Sequence, residues 1–107
     1  MKHKLLSQPT FAEQVWALTK RIPKGKVATY GQLARALKKP RACRAVGNAL
    51  NKNPYAPIVP CHRVIRSDGS IGGFAMGANK KIALLTKEGV EIFNHKVTPL
   101  KKFIYHF

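Results

Sequence analysis

The sequence predicts a mainly α-helical domain of winged-helix-like helix-turn-helix class with a small β-hairpin, and three observations predict it. Thr10 with Glu13 and Thr29 with Gln32 are capping-box pairs, each opening an apolar run at helical spacing. A short stretch, "PRACRAVGNALNKN", then follows Pro40 closely, with small apolar residues on one side and Arg and Asn on the other. Ser67, Asp68 and Gly69 supply turn chemistry between "RVI" and "SI". At 107 residues the chain is expected to form one domain, residues 1–107, with a core of modest size.

The elements follow in order. In "TFAEQVWALTKRI", Phe11, Val15, Leu18 and Ile22 share a helical face, and "PKG" ends the run. "KVATY" is a short extended segment. "YGQLARALKK" is a second helix, with Leu33, Ala34 and Leu37 inward and Pro40 as its stop. A third helix is predicted from Arg41 to Asn51: Ala42, Val46, Ala49 and Leu50 form the apolar stripe, and Arg41, Arg44, Asn48 and Asn51 face outward. Two short helices with a tight turn between them, the second basic on its outer face, match the arrangement that docks against a DNA groove. Pro54, Pro57 and Pro60 then stiffen a non-helical segment. The hairpin around Asp68 comes next, followed by the glycine-bearing loop "GGFAMG". A last helix runs from about Asn79 to a Gly89 stop, with Ile82, Leu84, Leu85 and Val90 available for burial. "VEIFNHKVTPLKKFIYHF" reads as a short strand and a basic, aromatic terminal turn.

Charge narrows the function. Twenty Lys and Arg stand against four acids, a formal +16 at pH 7, which attracts polyanions at a distance and makes a nucleic acid the first partner to consider, ahead of acidic proteins or membrane surfaces. No apolar run is long enough to span a bilayer, and "MKHKLLSQPTF" has no signal-peptide core, so a cytoplasmic location is expected, or a nuclear one in a eukaryotic source.

Within this frame "VPCHRV" poses a choice for Cys61: metal ligand, half of a disulfide, buried apolar thiol or nucleophile. Thiols inside cells stay reduced, which weakens a Cys43–Cys61 disulfide. The inventory of Cys43, Cys61, His3, His62, His95 and His106 lacks the paired spacing of a tetrahedral site, so no metal is expected. Buried thiol and nucleophile remain. Positive charge favours the thiolate, and His62 and Arg63 adjoin Cys61, but His62 can contact it only if the chain turns after Pro60. A histidine in this role needs a carboxylate to orient it. Glu88 is left by elimination, because Asp68 belongs to a turn and Glu13 to a cap.

"ATYGQLA", "RAVGNAL", "NP", "IVPCHRVI", "GGF" and "LLTKEG" occur in the order and spacing of the C-terminal domain of O6-alkylguanine-DNA alkyltransferases (methylated-DNA–protein-cysteine methyltransferases), which residues 10–90 resemble. The resemblance implies a DNA-binding and alkyl-acceptor domain that acts without a cofactor, as a monomer away from membranes, on double-stranded DNA containing O6-alkylguanine. It implies that Cys61 accepts the alkyl group, that His62 deprotonates it through a water, and that Glu88 completes the network. By the same resemblance Asn53 bridges the helix pair to the cysteine segment, and Tyr30 rotates the target nucleotide's phosphate and donates to the departing guanine. Arg44 fills the stack where the extruded base had been, on a DNA-contacting helix that also carries Arg41, Ala42, Gly47 and Asn48. The backbone around Val64 and the loop of Gly73, Phe74 and Ala75 line the base pocket. Such a protein acts once per molecule. The sequence departs from the family pattern in three ways: the family's N-terminal domain is largely absent, Ala56 with Pro57 displaces a proline often found three residues after the asparagine, and Gly73 and Ala75 stand where many relatives are polar. The alternative is a non-catalytic alkyltransferase-like protein that binds the lesion; Cys61, His62 and Glu88 together argue against it. Cys43 reads as a packing residue in the small-residue helix.

Overall fold

The computed structural model describes residues 8–107. His3 and most of the start "MKHKLLSQPTF" lie outside the described residues. The first helix, α1 (Phe11–Thr19), has its capping box intact: the Glu13 amide donates to Thr10 Oγ1 at 3.1 Å and the Thr10 amide to Glu13 Oε1 at 2.8 Å. A two-residue strand, β1 (Ala28–Thr29), leads into α2 (Tyr30–Ala36), whose N-terminus carries the second box, Thr29 with Gln32. Lys38 takes a left-handed conformation (φ 62°) and turns the chain towards α3 (Cys43–Asn51). This helix starts two residues later than the sequence predicts. Arg41 and Ala42 form its lead-in, with the Ala42 amide held by the Lys39 carbonyl at 2.9 Å.

After the proline segment come a 3-10 turn over Cys61–Arg63, strand β2 (Val64–Ile65) and helix α4 (Ala78–Lys87). The strands β3 (Ile92–Phe93) and β4 (Lys96–Val97) and a last helical turn, α5 (Leu100–Phe103), complete the chain. The mainly helical class with a small antiparallel hairpin is what the chain forms, but the hairpin sits elsewhere than expected. The turn at Asp68 does form, with the Arg66 amide on the Ser70 carbonyl at 3.0 Å and Asp68 Oδ1 accepting from the Ser70 amide at 2.9 Å. Val64 and Ile65, however, pair in parallel with Ala28 and Thr29. The antiparallel ladder is β3–β4, closed by Asn94 and His95, both at positive φ (51° and 61°), as a two-residue hairpin loop demands.

The parallel pair divides the interior. Successive strand residues point to opposite faces, so Ala28 and Val64 join one cluster with Val15, Ile22, Leu33 and Val46, while Val27 and Ile65 join another with Leu85, Val90 and Phe103. Helices α1, α2 and α3 enclose the first cluster, and Trp16 Nε1 donates to the Ala49 carbonyl at 2.8 Å where the small residues of α3 let α1 approach. The C-terminal segment lies beside β1: the Val27 amide donates to the Phe103 carbonyl at 2.9 Å and the Tyr105 amide to the Val27 carbonyl at 2.7 Å. The cysteine turn is thus joined through β2 to a strand at the centre of the fold.

Candidate alkyl-acceptor site

Pro60 ends the stiffened segment and the chain then tightens at once, with the Arg63 amide bonding the Pro60 carbonyl at 2.9 Å. The chain does turn after Pro60. It leaves Cys61 half-buried and sends His62 inward, 4% exposed. Behind it stands Glu88, at the C-terminal cap of α4 where Gly89 (φ 94°) reverses the backbone. Glu88 Oε2 lies 3.1 Å from His62 Nε2. A carboxylate only accepts, so Nε2 carries the imidazole hydrogen and Nδ1 is left with a lone pair free to take a proton. Burial lowers the His62 pKa below its ordinary value, against the pull of Glu88, which keeps the ring neutral and basic at neutral pH. Glu88 itself is pushed up by burial and drawn down further by hydrogen bonds from Arg63 and His62, for a net lowering.

Arg63 does not serve the thiol as its adjacency suggested. Its guanidinium donates through Nε and Nη2 to Glu88 at 2.9 and 2.7 Å and through Nη1 to the Ile22 carbonyl at 2.8 Å. Its charge is therefore matched by Glu88. Asn53 spans the segment before the cysteine: Nδ2 donates to the Val59 carbonyl and Oδ1 accepts from the Tyr55 amide, both at 2.8 Å, tying the end of α3 to the residues that lead into Cys61.

Cys61 opens on a cleft of about 390 Å³. Arg44, Gly47 and Asn48 line it from α3, Tyr30 from the start of α2, and Gly73, Phe74 and Ala75 from the loop before α4. The remaining candidates lie outside this lining. Val64 is fully buried in the first core cluster, and its side chain does not line the cleft. Arg41 is exposed and Ala42 half-buried just ahead of α3, while His62 and Glu88 form the layer behind the cysteine. Gly72, at φ 76°, is needed both for its backbone and for its size, because a Cβ there would come within 3.2 Å of the Tyr30 hydroxyl.

Sequence reasoning missed five residues here. Arg66, Leu50 and Asn51 also line the cleft, as does Cys43, which is exposed rather than packed, correcting its assignment to the core. The fully buried Lys81 reaches the Tyr30 hydroxyl and the Gly73 carbonyl. Its signal was present: Lys81 precedes Leu85 by one helical turn, in register with the apolar face of α4. Among the described residues no three of His, Cys, Asp and Glu are grouped so as to hold a metal, and no helix is long and apolar enough to cross a membrane.

Comparison with known proteins gives the same site a context. Residues 10–90 match the family model of the 6-O-methylguanine DNA methyltransferase DNA-binding domain. The methylated-DNA–protein-cysteine methyltransferase of Methanosarcina acetivorans is 49% identical over 79 residues, 74% of this chain and 51% of that protein. The bifunctional transcriptional activator and DNA repair enzyme Ada of Escherichia coli is 46% identical over 78 residues, covering 73% of this chain and 22% of Ada. The chain thus spans about half the length of the first of these relatives and less of the second. Among solved structures, Schizosaccharomyces pombe Atl1, in complex with damaged DNA containing O6-carboxymethylguanine, superposes with a TM-score of 0.83 at 32% identity, over 95% of this chain and 100% of Atl1. Mycobacterium tuberculosis OGT in complex with DNA gives 0.72 at 44% identity, over 77% of this chain and 51% of that one. With the family match running unbroken from the cap of α1, through the cysteine turn, to the residue after Gly89, the chain belongs to the 6-O-methylguanine DNA methyltransferase family.

Proposed function

We propose that this chain repairs DNA directly, moving an alkyl group from O6 of a flipped-out guanine in duplex DNA to Cys61 Sγ, irreversibly and once per molecule. The observation that carries the reading is one arrangement: a half-buried thiol opening on a cleft bounded by Arg44, Tyr30 and Phe74, with the neutral His62 and Glu88 layered behind it. The reaction needs no cofactor. His62 Nδ1 takes the thiol proton through a bridging water, and Glu88 steadies the imidazolium that forms. The thiolate attacks the alkyl carbon, the bond from carbon to guanine O6 breaks, and its electron pair leaves with the base. A proton from the Tyr30 hydroxyl neutralises the departing guanine, and the proton taken up by His62 returns through water to the tyrosinate, so no net charge is left in the site. Burial raises the Tyr30 pKa, with Cys61 adding to the rise and Arg66 opposing it, so the hydroxyl stays protonated and able to donate. The thioether product has no ordinary hydrolytic route back.

Guanine O6 cannot meet Cys61 while stacked, and extruding the nucleotide costs a few kcal/mol. Arg44, exposed on α3 at the cleft, is placed to fill the vacated stack and offset part of that cost. The charge distribution favours the same face. Glu13 is held in the α1 cap, Asp68 in its turn, Glu88 by Arg63 and Glu91 by Lys102, so no acid lines the cleft. All the reacting groups come from one chain, in keeping with a monomer. Atl1, matched over its whole length, binds damaged DNA in its structure, and a lesion-binding protein that transfers nothing is the second reading; the presence of Cys61 with His62 and Glu88 opposes it.

Intact mass after exposure to a duplex containing O6-methylguanine decides between the readings. A methyl gained on Cys61 supports transfer; tight, lesion-selective binding with no mass change overturns it. Salt separates encounter from chemistry. Association should weaken with a logarithmic slope of about −0.9 per phosphate neutralised, while the saturated single-turnover rate changes far less, because the thiol's surroundings are local. An equally steep loss of both would assign the basic surface to the wrong task.

A further inference from the structure

Lys81 is the largest of the fully buried side chains, and no step above uses it. It rises from α4 beneath the cleft, where Nζ lies 3.4 Å from the Tyr30 hydroxyl oxygen, 3.1 Å from the Gly73 carbonyl and 5.7 Å from the centre of the Tyr30 ring. Among the described residues no carboxylate pairs with it. The titratable and charged groups facing it are Tyr30 from α2, Cys61 and His62 from the cysteine turn, and Arg66 beyond β2. A buried ammonium without an anion is costly, and a Met or Leu would fill the space without that cost.

We propose that Lys81 is the positioning residue for Tyr30: its ammonium donates to the phenolic oxygen and so turns the phenolic hydrogen towards the cleft and the departing base. The inference rests on the alkyl-transfer reading. An ammonium has three donors and no acceptor, so while Lys81 is charged the Tyr30 oxygen accepts from it and the Tyr30 hydrogen must go elsewhere. The Gly73 carbonyl, 3.5 Å from the hydroxyl, is its resting acceptor at the cleft wall. A neutral amine has a lone pair, and the bond can then reverse, with Tyr30 donating to Lys81 and its hydrogen withdrawn from the substrate. Burial lowers the Lys81 pKa to about 8, with Cys61 opposing and Arg66 assisting, which brings the reversal within reach of ordinary buffers. Below that value Tyr30 is aimed at the base, and above it the donation fades.

The test is single-turnover transfer at saturating O6-methylguanine duplex, followed from mildly acidic to alkaline pH, with lesion affinity measured alongside. The wild-type rate should fall on the alkaline side with a midpoint of about 8. Lys81→Met should be roughly 10- to 100-fold slower at neutral pH and lack the alkaline fall. Lys81→Arg, which stays charged, should recover rate and also lack the fall. Tyr30→Phe combined with Lys81→Met should be no slower than the slower single variant, since both act on one proton. The inference is overturned if Lys81→Met keeps the wild-type rate and alkaline fall, if Lys81→Arg keeps the fall, or if the double variant loses the product of both effects. Any of these with a methyl still gained on wild-type Cys61 sinks the role of Lys81 alone; no methyl gained sinks the transfer reading itself.

Discussion

Cys61→Ala is expected to abolish alkyl transfer while leaving affinity for modified duplex within a few-fold of wild type. The two effects separate because the structure separates their sources. The sulfur lies half-buried in the cleft, whereas Arg44, Asn48 and the exposed basic residues ahead of α3 are presented to solvent. Replacing a thiol by a methyl group removes the nucleophile and little of the surface that meets DNA. The local fold should tolerate the change, because the cysteine turn is held by backbone bonds, the Cys61 amide to the Val59 carbonyl and the Arg63 amide to the Pro60 carbonyl, both at 2.9 Å. Cys43 makes the experiment sharper. It is the other thiol lining the cleft, exposed at the start of α3, and Cys43→Ala should transfer normally. Intact mass with peptide mapping reads both variants. A Cys61→Ala protein that still gains a methyl would move the acceptor role to Cys43 and end the assignment.

Sequence legibility followed the range of the interactions. Both capping boxes were readable because their partners are three residues apart, and the outward face of α3 because helical spacing fixes it. Glu88 was found by counting, since four acids with two locally engaged leave little choice. The partner of Val64 and Ile65 was not readable. Asp68 announces a turn, but only the tertiary fold brings Ala28 and Thr29 beside the strand and leaves Ser70 to bridge Lys96. The true hairpin was hidden for a chemical reason: Asn94 and His95 adopt left-handed conformations without a glycine to signal them. Lys81 was hidden by composition. In a chain with twenty cations a lysine on a helix reads as solvated surface, and its register with Leu85 carries the opposite message. Arg63 was misread for a similar reason, since adjacency in sequence placed its charge beside Cys61 whereas the turn carries it to Glu88.

Losing the Glu88 carboxylate is expected to be the most damaging single change to stability and, after Cys61→Ala, to chemistry. Glu88 accepts from His62 and makes two bonds with Arg63, and the side chains of His62 and Arg63 are only 5% and 16% exposed. Glu88→Ala would strand the guanidinium beside a buried imidazole, a loss of about 3–5 kcal/mol for a broken buried pair, against roughly 5–15 kcal/mol for a whole domain. That variant is expected to be barely folded. Glu88→Gln keeps the shape and an accepting oxygen but removes the charge that steadies imidazolium, and transfer should slow by roughly 100-fold with DNA affinity unchanged, since Glu88 does not line the cleft. Acid separates the contributions further. The folded Glu88 pKa is lowered, so its stabilisation is present above the ordinary carboxylate range and lost as pH falls through the lowered value. The folded His62 pKa is also lowered, chiefly by burial, so its contribution is present above the ordinary histidine range and lost as pH falls below it. Wild-type melting temperature should therefore drop on acidification in two stages, the histidine stage first. Glu88→Gln should retain the first stage and lose the second. A Glu88→Gln protein with wild-type melting and a wild-type saturated rate would remove Glu88 from both the fold and the proton path.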